Sequence, residues 1–246
     1  YEMDFEDIER RCPDPAAKVF LLCNPHNPTG RLWSRSELLR LGEICLRHDV
    51  KIISDEIHCE IAAPGKSYVP FASISEEFAQ NSISFVSPTK GFNIAGMQIA
   101  NIVSANEDFR RRIDRVINIW EHCDVNQFGV VALQAAYSDE GAAWLEQMNE
   151  LVHGNFVMLR DLFARRFPAV RVPEIEATYL LWLDFTDARQ EGKAVAEHLL
   201  KNHRVRISDG AIYGGPSGCR INLACPGATM KEGLRRIAEG LSTILE

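Results

Sequence analysis

A mostly parallel α/β sheet layer, followed by a smaller α+β unit, is the fold class that this sequence predicts. Three observations carry that expectation. AKVFLLCNP (17–25) is an unbroken apolar run closed by Asn-Pro, the pattern of a strand buried on both faces as in parallel sheets. VKIISDEI (50–57) repeats the pattern, and Leu38, Leu41, Cys45 and Leu46 recur between them at helical spacing. Strand, helix and strand at such short intervals make a βαβ unit. After Pro168 the character changes to isolated strands and helices, which is the second unit.

The elements follow in order. Ser34, with Glu37 three places on, is a capping box that opens the first of these helices and runs it to about His48. SISFVS (82–87) and QIANIVS (98–104) are the third and fourth strands, and SPTKGFNIAG (87–96) is the loop between them. From about 106 to 166 the pattern is helical. ATYLLWLDF (177–185) is strand-like, AVAEHLLKNH (194–203) helical and CRINLAC (219–225) strand-like, and Thr229-x-x-Glu232 caps a final helix to about Leu245. The expected division is residues 1–140 as an α/β layer with helices on both sheet faces, and 141–246 as a smaller α+β domain entered through a long helix.

Composition narrows the function classes. The 246 residues carry a net charge of −7 with no basic cluster, which argues against nucleic acid or an anionic membrane as partner. No apolar run reaches the length of a membrane span, and the opening YEMDFEDIERRCPDP is acidic and polar, unlike a signal peptide. Seven cysteines, an odd number with no C-x-x-C pair, read as small buried hydrophobes in a reducing compartment, so a cytoplasmic protein is expected.

Four stretches hold residue types that do chemistry. NPHNPTG (24–30) is a turn-rich exit from a strand, and either a tight loop or a place where the Asn27 amide holds a ligand oxygen. SDEIHCE (54–60) gathers Asp55, Glu56, His58, Cys59 and Glu60 at a strand end. A metal hydrolase using Asp55, His58 and Cys59 is one option, although the spacing matches no zinc signature. A single carboxylate facing a protonated heterocycle nitrogen is another. Lys90 is the only charged side chain between Glu77 and Glu107, so it either snorkels to water or serves as a nucleophilic amine. In IYGGPSGCRINLACP (212–226), Arg220 opens a strand and forms either a surface salt bridge or a fork for a carboxylate.

Taken in order, N-P-x-N-P-T-G, S-D-E-I-H, S-x-T-K and G-x-R-x-N resemble the pyridoxal-phosphate enzymes of the aspartate-aminotransferase fold, and the resemblance covers essentially all 246 residues. SDEIHCE, SPTKGFNIAG and ATYLLWLDF are most similar to the cystathionine β-lyase (C–S lyase) branch, which includes bacterial proteins that also act as regulators. The resemblance implies pyridoxal 5'-phosphate as cofactor, joined to Lys90, with Asp55 on the ring nitrogen. It implies Asn27 on the ring oxygen, with His58 sharing that contact, Ser87 on the phosphate and Arg220 on the carboxylate of a small amino-acid substrate. Gln98 stands where many aminotransferases of this fold have a phosphate-binding arginine, a departure shared with the lyase branch. The implied reaction is α,β-elimination giving thiol, pyruvate and ammonia. An aminotransferase, or a regulatory protein without turnover, remains open.

Members of this group also carry a long segment ahead of the N-P-x-N-P-T-G strand. By that measure the chain is expected to be an N-terminally truncated piece. It should then show an exposed sheet edge and an apolar patch, and bind the cofactor poorly by itself. The complete protein is expected to be a homodimer.

Overall fold

The computed structural model describes residues 1–245, which fall into two units. The first holds residues 1–26, 31–62 and 66–145, and the second holds 27–30, 63–65 and 146–246.

In the first unit, α1 (Phe5–Arg11) is opened by the Asp4 side chain, which accepts from the Asp7 N–H at 2.9 Å. Strands β1 (Val19–Cys23), β2 (Lys51–Asp55) and β3 (Ser82–Val86) are parallel neighbours, in register through Leu21, Ile53 and Ile83. The helix between β1 and β2 is α2 (Arg35–Arg47). Its capping box is complete: Ser34 Oγ accepts from the Glu37 N–H, and Glu37 Oε2 accepts from the Ser34 N–H at 2.8 Å. Amphipathic spacing turns Leu38, Leu41 and Cys45 into one buried core with Leu22 of β1 and Ile52 of β2.

β1 departs from the expectation of burial on both faces. Among the described residues it is an edge strand covered on one side, so Leu22 is buried while Val19 is 53% and Leu21 70% exposed. After α3 (Glu76–Gln80) and β3, residues 88–91 form a helical turn, α4 (Pro88–Gly91). β4 (Asn101–Val103) is antiparallel to β3 and shorter than its apolar run, so the sheet is mixed, in the order β1-β2-β3-β4. The helical stretch after it is three helices: α5 (Glu107–Ile119), α6 (Gln127–Ala136) and α7 (Asp139–Arg166). Asn106 and Asn126 cap the first two, each side chain accepting a backbone N–H that the helix leaves open.

The second unit is built on an antiparallel sheet ordered β5-β7-β6, from β5 (Leu180–Asp184), β6 (Ser208–Asp209) and β7 (Gly218–Asn222). Phe156, Leu159 and Phe163 of α7 share a core with Leu181 and Leu183 of β5, with Val195 and Leu199 of α8 (Gly192–His203), and with Leu234, Ile237 and Leu241 of α9 (Gly227–Leu245). The cap expected at Thr229 lies inside α9. Pro226 offers its carbonyl to the Met230 N–H at 3.0 Å, which starts the helix earlier, and Glu232 pairs with Arg235 and Arg236. Among the described residues no helix is long and apolar enough to cross a membrane.

Candidate active site

Two groups of side chains stand out, one in each unit. In the first unit, the parallel pairing of β2 and β3 brings their C-terminal ends to the same end of the sheet, about 4.8 Å apart. Asp55 ends β2 opposite Phe85, half-buried, and its Oδ1 accepts from the Ile57 N–H at 3.2 Å. The strand stops there: the Cys59 N–H closes a turn onto the Glu56 carbonyl at 2.9 Å, although burial still alternates as far as His58. Glu56 is buried and accepts from Ser54 Oγ at 2.7 Å, from Ser84 Oγ at 3.3 Å and from the Phe71 N–H at 3.3 Å. That carboxylate is a structural hub. His58 is buried in the turn.

Burial, with the Glu60 and Glu56 carboxylates adding to it, pushes the Cys59 thiol up to about 12. Burial also raises Glu60, whose Oε1 accepts from the Tyr137 hydroxyl at 2.9 Å. Among the described residues no three His, Cys, Asp or Glu side chains are grouped as a metal site.

Lys90 lies on α4 rather than in an open loop. Ser87 makes that turn possible: its Oγ accepts from the Thr89 N–H at 3.1 Å and donates to the Ile99 carbonyl at 2.6 Å. A third contact, to Thr89 Oγ1 at 2.7 Å, completes the shell of the buried hydroxyl. Lys90 is half-buried, and among the described residues its amine makes no hydrogen bond and no ion pair. Asp55 likewise has no cationic partner among them. Both charges are half-buried and have no ion pair among the described residues. Gln98 sits in the left-handed region at φ 51, ending a short 3-10 turn over Ala95–Met97, and brings no charge.

In the second unit, the Asn27–Gly30 turn is tied to the approach to β5. The Gly30 carbonyl accepts from the Glu176 N–H at 3.0 Å and the Ala177 N–H at 2.8 Å. Gly30 has φ +70, and a Cβ there would lie 2.8 Å from the Ala177 carbonyl oxygen, so glycine is required. This turn presents Asn27, whose Oδ1 accepts from Arg220 Nη1 at 3.0 Å. Arg220 lies in the middle of β7 rather than at its start, across from Trp182 on β5. It is half-buried and has no carboxylate partner among the described residues. Its guanidinium carbon is 4.7 Å from the centre of the Tyr213 ring. Burial raises the Tyr179 phenol, and the nearby Arg220 charge opposes that rise.

The structure therefore joins Asn27 to Arg220, and sets Asp55 and Ser87 at the C-terminal ends of two neighbouring strands, with Lys90 on the turn after β3 and His58 in the turn after β2. Tyr213 and the Glu60–Tyr137 pair had no signal in the sequence beyond residue type. Tyr213 directly precedes Gly214-Gly215.

The family model for aminotransferase class I and II matches residues 1–237. Cystathionine beta-lyase PatB of Bacillus subtilis (strain 168) is 38% identical over 244 residues, 98% of this chain and 63% of that relative. The crystal structure of cystalysin from Treponema denticola, which contains a pyridoxal 5'-phosphate cofactor, matches with TM-score 0.94 at 34% identity, covering 99% of this chain and 62% of cystalysin. The structure of a PLP-bound C–S lyase from Staphylococcus hominis matches with TM-score 0.89 at 36% identity, covering all of this chain (100%) and 64% of that one. The chain thus spans less than two thirds of the length of each of these relatives.

Proposed function

Because this chain belongs to the class I and II aminotransferase family, we propose that the whole protein is a pyridoxal-5'-phosphate-dependent C–S lyase. It cleaves a small amino acid bearing sulfur on Cβ, and with water yields thiol, pyruvate and ammonia. The observation that carries this reading is that Asp55, at the end of β2, and Lys90, on the turn that follows β3, have no ion pair among the described residues. The likeness to PatB and cystalysin supports the lyase branch in particular.

The residues present fit the cofactor: a carboxylate for a protonated ring nitrogen, an uncommitted amine for an aldehyde and an amide for a ring oxygen. When bound, the cofactor supplies an electron sink for the charge that develops at the substrate Cα. Asp55 would hold the proton on the ring nitrogen, and Asn27, with His58, would serve the ring oxygen. Lys90 would carry the cofactor and then, as a free amine, take the Cα proton at Nζ. Arg220 would grip the substrate carboxylate with its planar fork and so fix which Cα bond is cleaved. Ser87 would serve the phosphate only by surrendering its proton bond to the Ile99 carbonyl. A neutral Gln98 leaves the phosphate charge to other groups.

In the complete protein, residues 1–140 would be the C-terminal part of the large cofactor-binding domain, and 141–246 the small domain. A homodimer is the assembly we favour, because α6 is apolar around much of its circumference and leaves Phe128 77% exposed. A cytoplasmic setting agrees with seven cysteines that are all free thiols. The deciding experiment gives the holoprotein cystathionine, with and without a keto acid. Pyruvate release without keto acid is expected. Amino transfer that requires the keto acid would make it an aminotransferase, and cofactor binding without either reaction would favour a regulatory protein.

A further inference from the structure

We propose that Tyr213 is a positioning residue for Arg220: its ring face holds the guanidinium in the plane from which the fork meets a carboxylate. This rests on the reading of Arg220 as the substrate-carboxylate anchor. Among the described residues one side-chain hydrogen bond, from Nη1 to Asn27 Oδ1, fixes a single corner of a long side chain and by itself would let it swing about that corner. The Tyr213 ring, 4.7 Å from the guanidinium carbon, supplies the second restraint, because a cation lying over a ring face is drawn to the ring quadrupole.

The ring is itself held. Tyr213 ends a 3-10 turn, Gly210–Tyr213, whose start is capped by Asp209 accepting from the Ala211 N–H at 3.0 Å. Gly214, at φ +79, closes the turn in a conformation suited to glycine. Trp182 meets the Tyr213 ring edge-on, with centroids 6.1 Å apart at 79°. Trp182 is 2% exposed and lies directly across the β5–β7 pair from Arg220. It can lie there because residue 218 is glycine: a Cβ at Gly218 would come within 1.9 Å of the indole. A buried indole thus backs a phenol ring, the ring backs the guanidinium, and Asn27 fixes the guanidinium's far end. Among the described residues no carboxylate competes for the remaining donors.

The test compares binding of L-alanine and ethylamine to the holoprotein by titration. The two ligands differ by the carboxylate alone, and neither carries a leaving group. Wild type is expected to prefer L-alanine. Tyr213→Leu should weaken L-alanine about 3–30-fold, the range of a cation–π contact at a half-buried site, and leave ethylamine within about 2-fold. Tyr213→Phe keeps the ring face and should match wild type. Equal weakening of both ligands, no weakening of either, or a Tyr213→Phe variant as impaired as Tyr213→Leu would each overturn the role of Tyr213 while leaving Arg220 as the anchor. A wild type with no preference for L-alanine would remove the anchor reading itself, and this inference with it.

Discussion

Lys90 and Arg220 are both half-buried cations without an ion pair among the described residues, yet the two units treat them oppositely. Arg220 sits in the middle of a strand, bonded to Asn27 at one end and laid over Tyr213. Lys90 rides on a four-residue helical turn, and among the described residues its amine has no partner. A guanidinium stays protonated at any ordinary pH and serves best when immobile, whereas an amine can lose and regain a proton. Under the proposed roles, the anchor would be the held cation and the proton carrier the uncommitted one.

The sharpest way to break the contrast is Lys90→Arg. It keeps the charge and removes the amine that can give up its proton. Turnover should fall by about 10²–10⁴-fold or more, as with Lys90→Ala, in a direct pyruvate assay. Retained activity would mean that only the charge at position 90 matters. Arg220→Lys is the converse exchange, a fork replaced by a point charge. It should raise the KM for the amino acid by about 10–100-fold, with a smaller effect on kcat, since a hydrogen bond to a charged group contributes about 1.5–3 kcal/mol.

Ser87→Ala asks how far the Lys90 turn depends on its cap. Removing the hydroxyl deletes the contacts to Thr89 and Ile99, and should cost about 1 kcal/mol in denaturant unfolding. The smallest effect is expected at Glu60, which lies against Gly91, the neighbour of Lys90. Burial raises the folded-state pKa of Glu60 above its ordinary value of 4.5. The unfolded carboxyl therefore ionises first, and stability falls as pH climbs from there through the raised folded value. Glu60→Gln keeps an acceptor for Tyr137 but cannot ionise. Its thermal midpoint should gain on wild type as pH rises from the ordinary carboxyl value of 4.5 through the raised folded value, and a constant difference would argue against a carboxyl raised by burial.

Much of the parallel layer was legible in the sequence because it depends on local signals. The capping box at Ser34 and Glu37, the helical recurrence of Leu38, Leu41 and Cys45, and the apolar runs around Leu22 and Ile52 each encode one element without reference to the others. Tertiary effects hid the rest. β1 has the composition of a strand covered on both faces, yet its covering is one-sided, which no local pattern reports. Thr229 and Glu232 have cap spacing, but the Pro226 carbonyl starts the helix earlier. β6 is two residues long and exists through its pairing with β7. In the candidate site, residue types and order marked Asn27, Asp55, Lys90 and Arg220. The bond from Arg220 to Asn27 spans 193 residues, and the packing of Tyr213 on Arg220 depends on glycine at 218 making room for Trp182.

The central claim is that Lys90 is the amine that carries the cofactor. Borohydride reduction of the holoprotein, followed by peptide mapping, tests it most directly. The account predicts a pyridoxyl group on the peptide containing Ser87–Gly96, at Lys90. A label on any other lysine, or none on a protein that holds its cofactor, would contradict it.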